Sequence, residues 1–231
     1  MRIIRLAETG STNTVARELH AEGERSPLWV IAERQTAGRG RLERSWTSEP
    51  GNLYASALLP KPDGPSGAMA FVCALAVAET LADFVSSESI SLKWPNDALL
   101  SGQKVAGVLC EAVDEHLICG IGINVAHHPE DTRWPATHIG EHYPSAEVDV
   151  VFGQLRIRFD EALGNLLRRG WDAVRGSWLT YAYGLGHEVV VDTGQKRLAG
   201  RFRGLGAEGE FLLSTPSGTV PIVAGDVTYA G

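Results

Sequence analysis

The spacing of apolar and polar positions changes several times along the 231 residues, and each change predicts an element. "RIIRL" at the start reads as a short strand. Val15, Ala16 and Leu19 then share one helical face, with Ser11 or a neighbour as the capping residue and Gly23 closing the segment. "LWVIAE" (28–33) and "NLYASALLP" (52–60), the latter stopped by Pro60, predict strands. Residues 67–85 are apolar almost all the way round, which predicts a helix buried on every side. "SISLKWPND" predicts a strand running into a proline turn. "QKVAGVLCEAV" and "HLICGIGINVA", joined at "DEH", predict a hairpin. Between 147 and 182, helical spacing runs through Val151, Leu155, Phe159, Leu163, Leu166 and Leu167. It breaks at Gly170 and resumes with Trp171, Val174 and Trp178.

After Gly186 the texture changes to short apolar runs with glycine turns every eight to ten residues, which predicts a small all-β barrel. The expected boundary lies near residue 184, giving units at 1–184 and 185–231. Within the second unit, "GLGAEG" (204–209) matches a dinucleotide-binding glycine pattern. Strand-like "EFLLS" follows it rather than a helix, so it reads as a barrel turn.

Composition narrows the class. Hydrophobic content of 44% and charged content of 21% are ordinary for a soluble globular protein. Cys73, Cys110 and Cys119 sit in apolar contexts and form no C-x-x-C pair, so buried free thiols in a reducing, cytoplasmic compartment are expected. The N-terminus has no apolar core of a signal peptide, and no apolar run approaches membrane-spanning length, so no membrane partner is expected. With 21 Lys plus Arg against 28 Asp plus Glu, a net charge of -7 argues against general nucleic-acid binding.

Against that acidic background, Arg34, Arg39, Arg41 and Arg44 crowd into eleven positions with Gly38 and Gly40 between them and Trp46 behind. Glycine lets backbone N–H groups approach an anion, and guanidinium groups offer fixed forks of donors, so the segment suits a phosphate or carboxylate. The bland alternative is a solvated surface loop. A second cluster, in "LKWPNDALLSGQKVAGVL" (92–109), holds Lys93, Asn96, Asp97 and Lys104. A lysine at a strand start is either an exposed edge charge or, turned into a pocket, a cation placed for an anionic group. Asn-Asp after proline serves turn chemistry or holds Mg²⁺. "HIGEH" (138–142) fits an H-x-x-E-H zinc pattern, which needs a helix. Gly140 inside it and Tyr143-Pro144 after it predict surface histidines in a loop, and His127-His128 adds little. "GIGINVA" (120–126) permits close approach at its Gly-x-Gly and offers Asn124 as both donor and acceptor.

Together, "STN" (11–13), "QTAGRGR" (35–41), "KWPND" (93–97), "KVAGVL" (104–109) and "GIGINV" (120–125) resemble the motifs of biotin protein ligases in order and separation, over almost the whole chain. The resemblance implies an α+β fold: a mixed β-sheet with flanking helices, class II synthetase-like and related to lipoate ligases, followed by a small SH3-like barrel. It implies biotin and ATP as substrates with Mg²⁺, a biotinyl-5′-adenylate intermediate, and transfer to a lysine of a biotin carboxyl carrier protein or domain. By the same resemblance, biotin would be bound by Ser11, Thr12, Asn13, Gln35, Gly38, Arg39, Gly40, Arg41 and Lys104. The nucleotide would be bound by Arg41, Arg44, Trp46, Lys93, Asn96, Asp97 and Asn124, with Asp97 also the ligand for Mg²⁺. Lys104 and Arg41 would be catalytic. A homodimer is compatible with the resemblance. Some family members repress transcription through an N-terminal DNA-binding domain, but this chain opens at the catalytic strand and is acidic, so no DNA binding is expected. A lipoate or octanoate ligase or transferase of the same fold is the alternative; the "GRGR" loop and the barrel favour biotin. The family loop reads GRGR-x-G-R, whereas Glu43 stands here at the second-last position. A glycine there supplies a positive-φ turn or close approach, so Glu43 is expected to pair with a neighbouring arginine or to alter how the loop closes.

Overall fold

The computed structural model describes residues 1–130 and 132–229. Strands β1 (Arg2–Thr9) and β2 (Leu28–Gln35) run parallel, with helix α1 (Thr12–Ala21) crossing between them. The remaining strands of this sheet, β3 (Leu53–Pro60), β4 (Ile90–Lys93), β5 (Asp97–Leu100), β6 (Gln103–Val113) and β7 (His116–Ile123), pair antiparallel. The strand order is β1-β2-β3-β7-β6-β5-β4, the mixed sheet the motifs imply. The residues after "KWPN" form a strand of their own, β5, closed onto β6 by a two-residue turn at Ser101 and Gly102 with φ of 51° and 78°. Positive φ at both positions is what a tight hairpin with strand-like twist requires.

Side chains alternate across the sheet and divide it between two layers. Trp29, Ile31, Ala55, Ala57, Cys119 and Ile121 belong to the main core, with α2 (Ala68–Ala82), α4 (Val148–Arg169) and α5 (Trp171–Thr180). Twelve of the 15 residues of α2 are buried, as an all-round apolar helix requires. Phe152 and Phe159 of α4 meet Trp29 edge-on at 5.8 and 5.0 Å. Gly170, at φ 76°, ends α4 and opens α5, a left-handed position that glycine adopts without penalty. Cys73 of α2 lies among these side chains, and Cys110 and Cys119 face each other across β6 and β7. All three thiols are free, Cys73 and Cys119 buried and Cys110 half-buried. On the other face, Leu28, Val30, Leu58 and Ile118 pack on Ala16 of α1. That layer is shorter, and beyond the first turn of α1 the sheet face is left to the cavity described below.

The C-terminal part forms β8 (Glu188–Asp192), β9 (Arg197–Leu205), β10 (Phe211–Thr215), β11 (Gly218–Ile222) and β12 (Asp226–Tyr229), in the order β11-β10-β9-β8-β12. This antiparallel sheet is consistent with the expected SH3-like unit, but without edge closure: β11 and β12 do not pair among the described residues. Only residues 223–225 join them, a reach of about 14 Å, while four flat strand spacings would separate them by about 19 Å. The sheet must curl toward a barrel. Pro221 removes a donor from the β11 edge, where ladders tolerate proline. "GLGAEG" lies, as expected, at the β9–β10 turn, where Gly206 N–H donates to Glu210 O at 2.8 Å.

The core is continuous between the two sheets. Trp94 packs on Phe211 with ring centroids 5.4 Å apart, and its buried Nε1–H donates to Gly209 O at 3.1 Å. Among the described residues no helix is long and apolar enough to cross a membrane. Trp94→Phe keeps most of the apolar volume but strands the Gly209 carbonyl. It should lower stability by about 1–3 kcal/mol, read as a reduced midpoint in urea unfolding with an unchanged slope.

Candidate active site

The open face of the large sheet carries a cavity of about 750 Å³, bounded by the start of α1, the 39–47 loop, β6 and β7, Pro129, residues 132–136 and β12. That volume suits a ligand of cofactor size. Its floor is made of glycine. Gly120 and Gly122 lie two apart on β7 and so share one face. A Cβ at Gly122 would sit 2.7 Å from the Trp46 indole, and one at Gly120 would collide with Asn13 Oδ1. Gly107 on β6 receives the far edge of the same indole. The close approach expected of "GIG" is thus made here by Trp46 and Asn13. Trp46 is half-buried, and its Nε1–H has no partner among the described residues.

One wall is a buried polar relay. The Thr12 N–H and hydroxyl both donate to Gln35 Oε1, at 2.8 and 3.1 Å, and Gln35 Nε2 donates to Ser48 Oγ at 2.9 Å. Ser56 Oγ lies 2.7 Å from Thr12 Oγ1 and 2.6 Å from Asn13 Oδ1. Asn13 Nδ2 donates to Glu111 Oε2 at 2.7 Å. Ser11, Thr12, Asn13 and Ser56 are all buried, and such groups need this saturation to be tolerated. Two of these partners, Ser56 and Glu111, carry no local signal in the sequence.

The arginine loop is less uniform than its composition suggests. Arg34 turns away to Glu8 and Glu49, at 2.9 and 3.3 Å, and takes no part in the cavity. Gly38 does not line the cavity either. It lies beneath the loop, where its carbonyl accepts from Trp46 N–H at 2.9 Å and a Cβ would press on Trp46 O and Ser48 Oγ. Arg39, Gly40, Arg41 and Arg44 do line it. Arg39 reaches Glu111 at 3.5 Å. Arg44 forms a fork on Asp226, at 2.6 and 3.3 Å, and Arg133 reaches the same carboxylate at 2.7 Å. The Arg44 hydrogen bond holds the Asp226 carboxyl below the usual range. Arg41 makes no ion pair among the described residues; burial pulls its pKa down, opposed by the charges of Asp226 and Asp97. Glu43 does not pair with an arginine among the described residues, contrary to one expectation. It is exposed at φ 55°, beside Leu42 at the same φ, so it takes the left-handed conformation that a glycine would adopt freely.

Lys104 lines the cavity rather than an outer edge. A bulge between β5 and β6 pairs Ala98 with Ala106 and Leu99 with Lys104, leaving Val105 extra, and such bulges re-aim side chains. The Lys104 ammonium contacts Asp97 Oδ1 at 2.6 Å and lies 5.2 Å from the centre of a Trp46 ring. Its backbone is tied on both sides, with N–H to Pro135 O at 2.7 Å and O from Thr137 N–H at 3.0 Å. Lys93 stands over the Trp134 ring at 4.7 Å, and burial lowers its pKa against the opposing pull of Asp97. Asn96 Nδ2 donates to Val108 O at 2.7 Å and Asn124 Nδ2 to Thr137 O at 3.0 Å, so both amides also fasten the cavity wall. The "HIGEH" segment is corrected from a loop to a helical turn, α3 (Ile139–His142). His142 faces Thr137 Oγ1 at 3.3 Å, while His138 meets His128.

The match to known proteins follows this geometry. Residues 6–124 match the model of the biotin/lipoate A/B protein ligase family. The chain belongs to that family. It is 34% identical to a biotin--[acetyl-CoA-carboxylase] ligase of Paracoccus denitrificans over 241 aligned positions, covering 98% of this chain and 100% of the relative. It is 30% identical to the bifunctional ligase/repressor BirA of Bacillus subtilis (strain 168), over 94% of this chain and 70% of that one. The solved biotin protein ligase from Aquifex aeolicus, in complex with biotin and ATP, superposes with a TM-score of 0.84 at 32% identity, covering 98% of this chain and 97% of that one. Trp46, Lys104 and the polar relay meet around one glycine floor.

A pH dependence follows from Asp226. Its folded-state pKa is depressed, so its contribution to stability is present above the unfolded value of about 3.9 and fades as pH falls through the folded value. Urea midpoints measured from about pH 5 down to about pH 3 should therefore fall less steeply in Asp226→Asn than in wild type.

Proposed function

We infer that the chain is an ATP-dependent biotin protein ligase, which forms biotinyl-5′-adenylate and passes the biotinyl group to a lysine of an acceptor protein. The reading rests above all on one observation: Lys104, held by Asp97, stands in a cavity that is neutral and hydrogen-bonding on one side and cationic on the other. On this reading the polar wall of Ser11, Thr12, Asn13 and Gln35 takes the ureido head of biotin, which offers both donors and acceptors. The valeryl carboxylate then lies toward Lys104. A carboxylate oxygen attacks the α-phosphorus of ATP, the bond to the bridging oxygen of pyrophosphate breaks, and an acyl phosphate forms. In the second step an acceptor-lysine amine attacks the acyl carbon and loses its proton, the acyl C–O bond breaks, and AMP leaves with the oxygen that had joined carbon to phosphorus.

Both steps gather negative charge on oxygens around one carbon and one phosphorus, and fixed cations stabilise it without reorganising. Lys104 is assigned to those oxygens and Arg41 to closure over the intermediate. Arg39 and Gly40 are assigned to biotin, and Arg44, Trp46, Lys93, Asn96 and Asn124 to the nucleotide. Gly38 is assigned to shaping the loop from below. Mg²⁺ takes a few carboxylate oxygens and fills the rest of its shell from phosphates and water. Asp97 fits that need with one carboxylate, and the ion would neutralise phosphate charge. The acceptor is proposed to be the carrier domain of a biotin-dependent carboxylase, with residues 1–184 the catalytic unit and 185–231 an appended β unit.

Two measurements test this. Lys104→Ala should fold normally and still bind biotin, while pyrophosphate release at saturating biotin and ATP falls on the order of 10²–10³-fold. A rate within a few-fold of wild type would make Lys104 structural. Trypsin should cut the unliganded protein within the 36–45 loop, which has only Leu42 as a large apolar side chain, and biotin should slow the cut. Equal rates in both states would remove the loop from ligand binding.

A further inference from the structure

Behind the wall that carries Thr137, three side-chain atoms point at one another. His128 Nδ1 and His138 Nδ1 are 2.9 Å apart, and Glu141 Oε1 lies 3.5 Å from the first and 3.4 Å from the second. At most one ring proton can lie between the two nitrogens, so one nitrogen and Glu141 Oε1 are left as acceptors around that single proton. A cation at its centre would satisfy all three atoms. Zinc bound to nitrogen and oxygen at about 2.0–2.2 Å in a tetrahedron spaces its ligand atoms about 3.3–3.6 Å apart. The triangle is already close to one face of that tetrahedron. The geometry points to a site for a divalent transition ion of the zinc class at His128, His138 and Glu141, with one position open to water.

The surroundings fit a ligand set. Thr137, fully buried, donates its hydroxyl to Glu141 Oε2 at 2.7 Å and so leaves Oε1 for the cluster, as supporting groups do at metal sites. Gly140 makes room for the His138 ring, since a Cβ there would stand 3.1 Å from His138 Cδ2. His128 and Glu141 are 23% and 42% exposed in their side chains, so an ion can enter from solvent.

The site's effect follows from what it ties together. Ile139 N–H donates to Asn124 O and Gly140 N–H to Val125 O, while Thr137 N–H holds Lys104 O. A metal here would tie His128 to the 137–141 segment at the end of β7 and stiffen the wall that carries Thr137, the partner of the Lys104 backbone. It would act by positioning, outside the reacting atoms, and does not depend on the identity of the substrate.

The test titrates the metal-free full chain with Zn²⁺ against a chromogenic chelator. One ion per chain is expected. His128→Ala and His138→Ala should each weaken binding at least about tenfold, and Zn²⁺ should raise the thermal midpoint of wild type but not of the variants. Glu141→Gln, nearly isosteric, serves if either alanine variant fails to fold. Cys73, Cys110 and Cys119 also bring their sulfurs within 4.8 Å of one another, so Co²⁺ spectra separate the two places. Visible ligand-field bands without a near-ultraviolet thiolate band support the histidine site. An intense thiolate band, unchanged affinity in the variants, or no binding by wild type would overturn it.

Discussion

β7 gives up two side chains on one face, Gly120 and Gly122, and β6 gives up a third at Gly107. Everything at the site is arranged around that missing layer. A Cβ at any of the three would press on Trp46 or Asn13, and in a close-packed interior such overlap forces the neighbours to move. Elsewhere on the same face Leu28, Val30, Leu58 and Ile118 are filled in by α1. The change from large aliphatic to glycine along β7 marks where packing ends and a ligand site begins. The opposite face has no such gap, because α2 covers it with twelve buried residues.

Charge at the site is local and answered nearly everywhere. Arg39 faces Glu111, Arg44 and Arg133 share Asp226, and Lys104 rests on Asp97. These pairs hold long side chains in place within an acidic chain. A substrate anion that replaces a carboxylate partner meets a cation already aimed. Arg41 differs, being half-buried without such a partner among the described residues.

Much of the architecture could be read from local pattern. The all-round apolar run of α2, the break at Gly170 and the β6–β7 hairpin each rest on neighbours in sequence, and the structure places them where expected. The expected site residues gather on one cavity, apart from Gly38, which lies under the loop. What escaped the sequence is what depends on distant partners. Ser56 meets Thr12 and Asn13 across 44 and 43 residues, and Asp226 meets Arg44 across 182. Arg34 shares the composition of the loop but sits on the β2 ladder, whose register sends it to Glu8. The "HIGEH" segment misled because its helical turn is held by Asn124 and Val125 through backbone hydrogen bonds, not by its own propensity. The barrel stayed open because closure is a matter of edge pairing, which turn spacing does not report.

The turn at Leu42 and Glu43 has a consequence for the loop. Two successive non-glycine residues at φ 55° each cost about 1–2 kcal/mol. The turn is held from within by Gly40 N–H on Arg44 O and from outside by Asp226 on Arg44. It behaves as a sprung clasp whose latch sits in the other sheet. Losing the Asp226 contact would remove one of the two tethers that offset this backbone cost. The loop's conformation thus leans on a carboxylate 182 residues away as well as on its own sequence.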